Sequence, residues 1–285
     1  MPDRRLFVFL ALLPTAHAQW LSYRTPGTPR TPDGKPVLTA PAPRAADGKP
    51  DLSGVWIHEK TSVEEMKRLI GGLAEREGAV AVPGMELDSV HKYVFNILVD
   101  HRPEEGLLRP DALERMHRIQ SILSSGGACN GSSVGPLGFP LAGLLSEPIK
   151  ILQAPRLTIV LYEVGNMHRQ LYTDGREIPK EFDFPAFNGY SAGHWEGDTL
   201  VVETAGFNDK TILDMTGHPH SEALHMTERF HRRDFGHLDY ELTFDDPKTY
   251  TKPFTVKIPH ELLADSDIFE SYFENEKDCA HLGKR

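Results

Sequence analysis

The sequence predicts a mainly β chain with a helical insertion (α+β), organised as an eight-stranded antiparallel β-barrel with an N-terminal extended arm and a C-terminal helix. Three observations predict it. Residues 19–53 are rich in Pro, Gly, Thr and Arg and carry no apolar period. Residues from about 61 to 125 place apolar side chains at helical spacing, and from about 149 onward the period becomes two, with short turns between runs. The expected organisation is therefore a leader at 1–18, an arm at 19–53, and one barrel domain at 54–285 with its helical insertion at about 61–125.

The chain starts MPDRRLFVFLALLPTAHA, with Arg4 and Arg5 ahead of an apolar run from Leu6 to Leu13 and a small-x-small site at Ala16-His17-Ala18. That is the pattern of a cleavable signal peptide, and the run is far short of the roughly 20 residues a bilayer-spanning helix needs. The expectation is export to the periplasm or beyond, with no membrane span. Arg4-Arg5 also faintly resembles a twin-arginine signal. A formal net charge of −10 argues against nucleic acid and anionic membranes as partners.

Within the arm, Pro29-Arg30-Thr31-Pro32-Asp33-Gly34-Lys35-Pro36 recurs as Pro43-Arg44-Ala45-Ala46-Asp47-Gly48-Lys49-Pro50. Gly54 to His58 reads as a first strand. Ser62 with Glu65 forms a capping box ahead of a stripe of Val63, Met66, Leu69, Ile70 and Leu73. A second helix is expected near 89–98, and a third from Pro110 through Leu113, Met116, Ile119 and Leu123. Seven further strands are expected at 157–164, 167–173, 189–195, 199–205, 222–233, 237–244 and 254–258, with a helix over 260–277. Eight strands suffice to close a small barrel around one ligand or a plug of side chains.

The two cysteines, Cys129 and Cys279, are expected to pair in an oxidising compartment. The sharper alternative makes Cys129, in a Gly-rich loop, a nucleophile.

Several motifs carry a resemblance: Leu52-Ser53-Gly54-Val55-Trp56, Gly189-Tyr190-Ser191, Trp195-Glu196-Gly197-Asp198-Thr199-Leu200-Val201-Val202-Glu203-Thr204, Gly206-Phe207-Asn208-Asp209, Gly217-His218-Pro219-His220-Ser221-Glu222, Thr227-Glu228-Arg229-Phe230 and Tyr250-Thr251-Lys252-Pro253-Phe254. They resemble a family of exported bacterial proteins that look like lipocalin-type (calycin-like) barrels, and Gly54-Val55-Trp56 is similar to the Gly-x-Trp start of lipocalins. The resemblance implies fold and export, and no activity.

Two constellations could carry chemistry. Asp209, Asp214, His218, His220, Glu222 and His225 crowd a long loop, where imidazoles and carboxylates could converge on a divalent metal, Zn, Fe or Cu. The expected ligands are His218, His220, Glu222, His225 and Asp214, and the bland alternative is a solvated His-rich turn. The second follows from strand parity. Glu228 shares a face with Leu224, Met226 and Phe230, Arg169 with Met167 and Leu171, and Glu163 with Leu157, Ile159 and Leu161.

If those faces point inward, Glu228 is a carboxylate in an apolar lining, suited to acid/base work with His220 and His225 as catalytic partners. Glu163, Arg169 and Glu228 would then be three inward charges, Arg169 free to clamp a ligand's carboxylate or oxyanion, with His168, Tyr172 and His194 lining the mouth. The bland alternative is an Arg169–glutamate ion pair. Two functions stay open: an enzyme of lyase, isomerase or hydrolase type acting on a small organic substrate, and a non-catalytic lipocalin-like carrier of a small apolar or aromatic ligand.

Overall fold

The computed structural model describes residues 23–62, 64–66, 69, 91–124, 139–144 and 147–269. The leader at 1–18, the Cys129–Cys279 pairing and most of the first expected helix lie outside the described residues. Of that helix, Glu64–Met66 and Leu69 are described as helical, and the Glu65 amide donates to Ser62 Oγ at 3.2 Å.

Ten strands form one sheet: β1 (Gly54–His58), β2 (Ile149–Ala154), β3 (Leu157–Tyr162), β4 (Met167–Tyr172), β5 (Tyr190–Glu196), β6 (Thr199–Ala205), β7 (His225–Arg232), β8 (His237–Asp245), β9 (Phe254–Lys257) and β10 (His260–Leu262). Nine of them close a barrel. The seam is β10, which pairs with β8 at His260↔Leu238 and with β1 at His58↔His260 and Trp56↔Leu262. β9 lies on the other half of β8. Pro259, which has no N–H to give a ladder, separates β9 from β10.

The mainly β barrel with a helical insertion is as expected, with four corrections. Nine strands close the barrel rather than eight. The ring gains β2, whose mixed Ile-Lys-Ile-Leu-Gln-Ala run alternates only weakly, and β10, which stands where a helix was expected, while the expected strand at 254–258, β9, lies outside it. Residues 263–269 are not helical either, and the rest of that expected helix lies outside the described residues. The pairing is not wholly antiparallel: β4 and β5 run parallel through Leu171↔Ser191 and Tyr172↔Ala192, because residues 173–189 carry the chain back before β5 starts. Near 89–98 there is a short 3-10 turn, Lys92–Val94, instead of a helix.

The helix α1 (Pro110–Ser124) forms where Pro110 fits a first helical turn that needs no N–H. It lies against the β8–β9 loop through Arg115, which donates to Thr249 Oγ1 at 3.0 Å, and against the β6–β7 loop through Gln120, which donates to the Thr216 carbonyl at 3.0 Å. Among the described residues, no helix is long and apolar enough to cross a membrane.

The repeated arm sequence folds twice into the same clip. In each copy an amide closes a turn onto the glycine-bearing tip, Thr31 N to Lys35 O and Ala45 N to Lys49 O, and the arginine donates to its own glycine carbonyl at 3.0 Å. Each arginine then reaches an aspartate on the barrel: Arg30 to Asp265 at 2.5 Å and Arg44 to Asp198 at 2.6 Å. Between the clips, Leu38 and Ala40 carbonyls accept from Gly236 and Phe235 at 2.7 Å. That end of the barrel is sealed by Trp56, fully buried, under the Arg232 guanidinium 4.9 Å from its ring.

Alternate burial along β7 and β8 sends Met226, Glu228 and Phe230, and Leu238, Tyr240, Leu242 and Phe244, inward. β3 is in the opposite phase to the expectation. Thr158, Val160 and Tyr162 are buried, while Leu157, Ile159 and Leu161 face out. Six nearly uniformly apolar residues give no polar contrast from which to read the phase.

Candidate functional site

Six strands each send one polar side chain to the middle of the barrel. Arg169 of β4 donates through Nη1 to Glu228 Oε1 at 3.0 Å and through Nη2 to Glu228 Oε2 at 2.6 Å, a bidentate pair. Nη2 also reaches Ser191 Oγ at 2.9 Å and Thr204 Oγ1 at 3.0 Å, and Nη1 reaches the Tyr162 hydroxyl at 3.4 Å. Tyr240 donates to Glu228 Oε1 at 2.6 Å and Thr204 to Oε2 at 3.1 Å.

Burial opposes the Arg169 charge, but Glu228 together with the two tyrosines outweighs it and holds the guanidinium charged beyond its ordinary range. Burial, reinforced by Glu228, holds the Tyr240 phenol protonated. The inward placements of Arg169 and Glu228 are as expected. The apolar isolation expected of Glu228 is corrected, because with four hydrogen bonds its lone pairs are filled.

Above this cluster lies the segment Phe139–Leu144. The Phe139 ring stacks on the Arg169 guanidinium, its centre 3.6 Å from the central carbon, and the Phe139 amide donates to Asn188 Oδ1 at 3.1 Å. Beneath the segment, Phe139, Ile149, Val160, Tyr162, Phe230 and Tyr240 help to enclose a cavity of about 10 Å³, room for about one water. Arg169 Nε is buried in the cluster with no hydrogen-bond partner among the described residues.

The loop between β6 and β7 divides the expected metal ligands. Asp214, fully buried, accepts from the Ile97 amide and from His218 Nδ1, both at 2.6 Å, and from the Thr216 amide and hydroxyl, both at 2.9 Å. His220 contacts Thr211 Oγ1 at 2.6 Å and Ser221 O at 3.2 Å, and burial pushes its imidazole pKa down. Glu222 is exposed and His225 lies on the outward phase of β7. Among the described residues, no group of three or more His, Cys, Asp or Glu side chains could hold a metal ion, so the expected convergence is not formed.

The expected catalytic trio is likewise not assembled: Glu228 is in the barrel, His220 in the loop core and His225 on the outer wall. Among the expected mouth residues, His168 and His194 are exposed and Tyr172 donates to Gln170 Oε1 at 3.1 Å on the outer face. His194, with Arg176 and Glu203, lines an outer groove of about 460 Å³. Glu163 sits beyond the end of β3 and accepts from the Phe269 amide at 3.0 Å, and partial burial holds its carboxyl above the usual range.

Other residues of the centre are not singled out by the sequence. Tyr240 was readable from its place between Leu238 and Leu242, whereas Phe139 on its connecting segment carries no local signal. The same holds for a second buried cluster, His58, His91 and His260, at the barrel seam. His58 lies 5.7 Å from His91 and 6.4 Å from His260 between ring centres. Burial, with the neighbouring imidazoles, pushes His91 down to about 3, and burial does the same to His260, also to about 3.

No protein-family model, no curated protein and no solved structure matches the chain.

Proposed function

We propose that this chain is an exported binding protein that takes a small, mainly apolar ring-containing molecule into one end of the barrel. One observation carries the reading: the small apolar cavity beside the Arg169–Glu228 cluster is covered by Phe139, a side chain on a connecting segment and not on a barrel strand. Its lining of apolar and aromatic side chains with a few convergent polar groups is the kind small-ligand sites have, and the room for a ring comes from Phe139 leaving, since the cavity itself holds about one water. The filled coordination of Glu228 favours binding over acid/base turnover at this position. Export follows from the leader pattern of residues 1–18.

Indole is a suitable neutral probe. The reading expects saturable shifts of the Ile149, Val160 and Leu242 methyl resonances, stronger in Phe139→Ala than in the unaltered chain. Unchanged methyls in both proteins at saturating indole sink it.

A second reading, an acid/base enzyme of the hydrolase, lyase or isomerase type, is favoured by a different pair. With Asp214 on Nδ1, His218 presents Nε2 as its acceptor nitrogen, the arrangement of an oriented general base. A panel of simple esters and lactones tests it. Turnover that survives in Glu228→Gln and falls at least a hundredfold in His218→Gln supports this reading; turnover indifferent to His218 overturns it.

A further inference from the structure

The barrel centre holds more donors than acceptors. Both Nη groups of Arg169 are engaged, but its Nε–H is buried with no partner. The Tyr162 oxygen accepts from Arg169 Nη1 at 3.4 Å, and its own hydroxyl hydrogen meets no acceptor among the described residues. Two buried donors are thus left over among the described residues, and one of them, the Tyr162 hydroxyl, belongs to a side chain that lines the cavity. An unmade bond to a buried donor is a standing cost that an arriving acceptor removes.

The charge of that acceptor is constrained. Glu228 already neutralises Arg169, so a second anion would enter the barrel unpaired, with its desolvation uncompensated. The shape is constrained by Phe139, whose ring covers the guanidinium face. Phe139 lies outside the strands and its amide is held by one side chain, Asn188, so it can leave without breaking strand pairing.

We propose that Phe139 stands in for the ligand, which is an uncharged single-ring molecule with a carbonyl-type oxygen on a short side chain. Its ring takes the place of Phe139 over Arg169. Its oxygen accepts from the Tyr162 O–H. This assignment rests on the barrel-binding reading above and adds the ligand's chemical class.

A matched series tests it on the purified full chain carrying Phe139→Ala: 4-phenyl-2-butanone, 3-phenylpropanoate and butylbenzene, titrated by calorimetry. The ketone is expected to bind about tenfold or more tighter than either of the others. Adding Tyr162→Phe is expected to erase the ketone's advantage while leaving butylbenzene within about twofold of its former affinity. Butylbenzene binding as tightly as the ketone overturns the acceptor site but leaves barrel binding standing. Tightest binding of 3-phenylpropanoate overturns the charge argument, and no binding of any of the three overturns both. If Phe139→Ala does not fold, Phe139→Leu, which keeps an apolar side chain in the core but removes the ring, carries the same comparison.

Discussion

Arg169 on β4 and Glu228 on β7 share two hydrogen bonds, of 3.0 and 2.6 Å, with side chains only 2% and 0% exposed. Desolvation of both charges is offset only while the pair and its hydroxyl partners stay intact. Glu228→Gln leaves a buried guanidinium without its counter-charge, and the expected cost is about 3–5 kcal/mol in urea unfolding. Replacing both residues by apolar ones, Arg169→Met with Glu228→Leu, is expected to cost less than Glu228→Gln alone. A double variant weaker than the single one would show that the pair contributes net stability beyond mutual neutralisation.

Asp214 organises the long loop from beneath, accepting from Ile97 on one side and Thr216 and His218 on the other. Asp214→Ala removes all of these acceptors together. Hydrogen bonds to a charged group are each worth about 1.5–3 kcal/mol, so the loss expected is at least 2 kcal/mol. Hydrogen exchange locates it: the Ile97 and Thr216 amides should lose protection ahead of the barrel strands. Unchanged protection at those two amides would remove Asp214 from this role.

The strands that alternate sharply in polarity are the ones whose side chains could be placed from sequence. β7 reads Met-Thr-Glu-Arg-Phe-His, and its phase puts Glu228 inside without ambiguity; β3 is apolar on both faces, and there the phase inverts, carrying Tyr162 in and Glu163 out of the site. The five expected metal ligands do not converge among the described residues, for a related reason. Crowding of His, Asp and Glu in sequence says nothing of which side chains a loop turns inward, and Asp214 turns toward backbone amides. The two seam histidines, His58 and His260, are some two hundred residues apart in sequence, and only the β1–β10 register brings them together. Phe139 was invisible for the same reason, since its importance lies wholly in what it covers.

The arm is docked through close backbone approach, and Gly236 is where that shows. A Cβ at Gly236 would lie 2.4 Å from Leu38 Cβ and 2.9 Å from its Cα, so the arm must move. Gly236→Ala is expected to cost about 1–3 kcal/mol and to expose the arm to trypsin at Arg24 and Arg44. Arg30→Ala, which frees only one clip from Asp265, is expected to speed the cleavage at Arg24 without moving the global unfolding midpoint. Equal cleavage rates in all three proteins would mean that the arm is not held by these contacts.

His91 and His260 set the acid limit of the fold. Both are held near 3 by burial, against 6.5 in the unfolded chain. His91 also faces His58, His260 and Lys92, which disfavour its charged form, while Asp100 works in the other direction more weakly. Above pH 6.5 both states keep these rings neutral and stability is flat. Below it the unfolded chain takes up protons that the fold refuses, so stability falls with pH, each histidine contributing up to about 1.4 kcal/mol per pH unit until pH nears 3. Carboxylates held low, such as Glu105 and Asp174 at about 2, keep their contribution until more acidic conditions, so the range from pH 6.5 to 5 isolates the histidines. Urea midpoints are expected to drop steadily across that range. His91→Phe, which keeps a ring against Tyr93, is expected to make the slope shallower by about a third, because one of the three buried histidines held low, His91, His220 and His260, no longer titrates. A slope as steep as in the unaltered chain would mean that His91 takes up its proton in the fold, and the seam would then have to open well above pH 5.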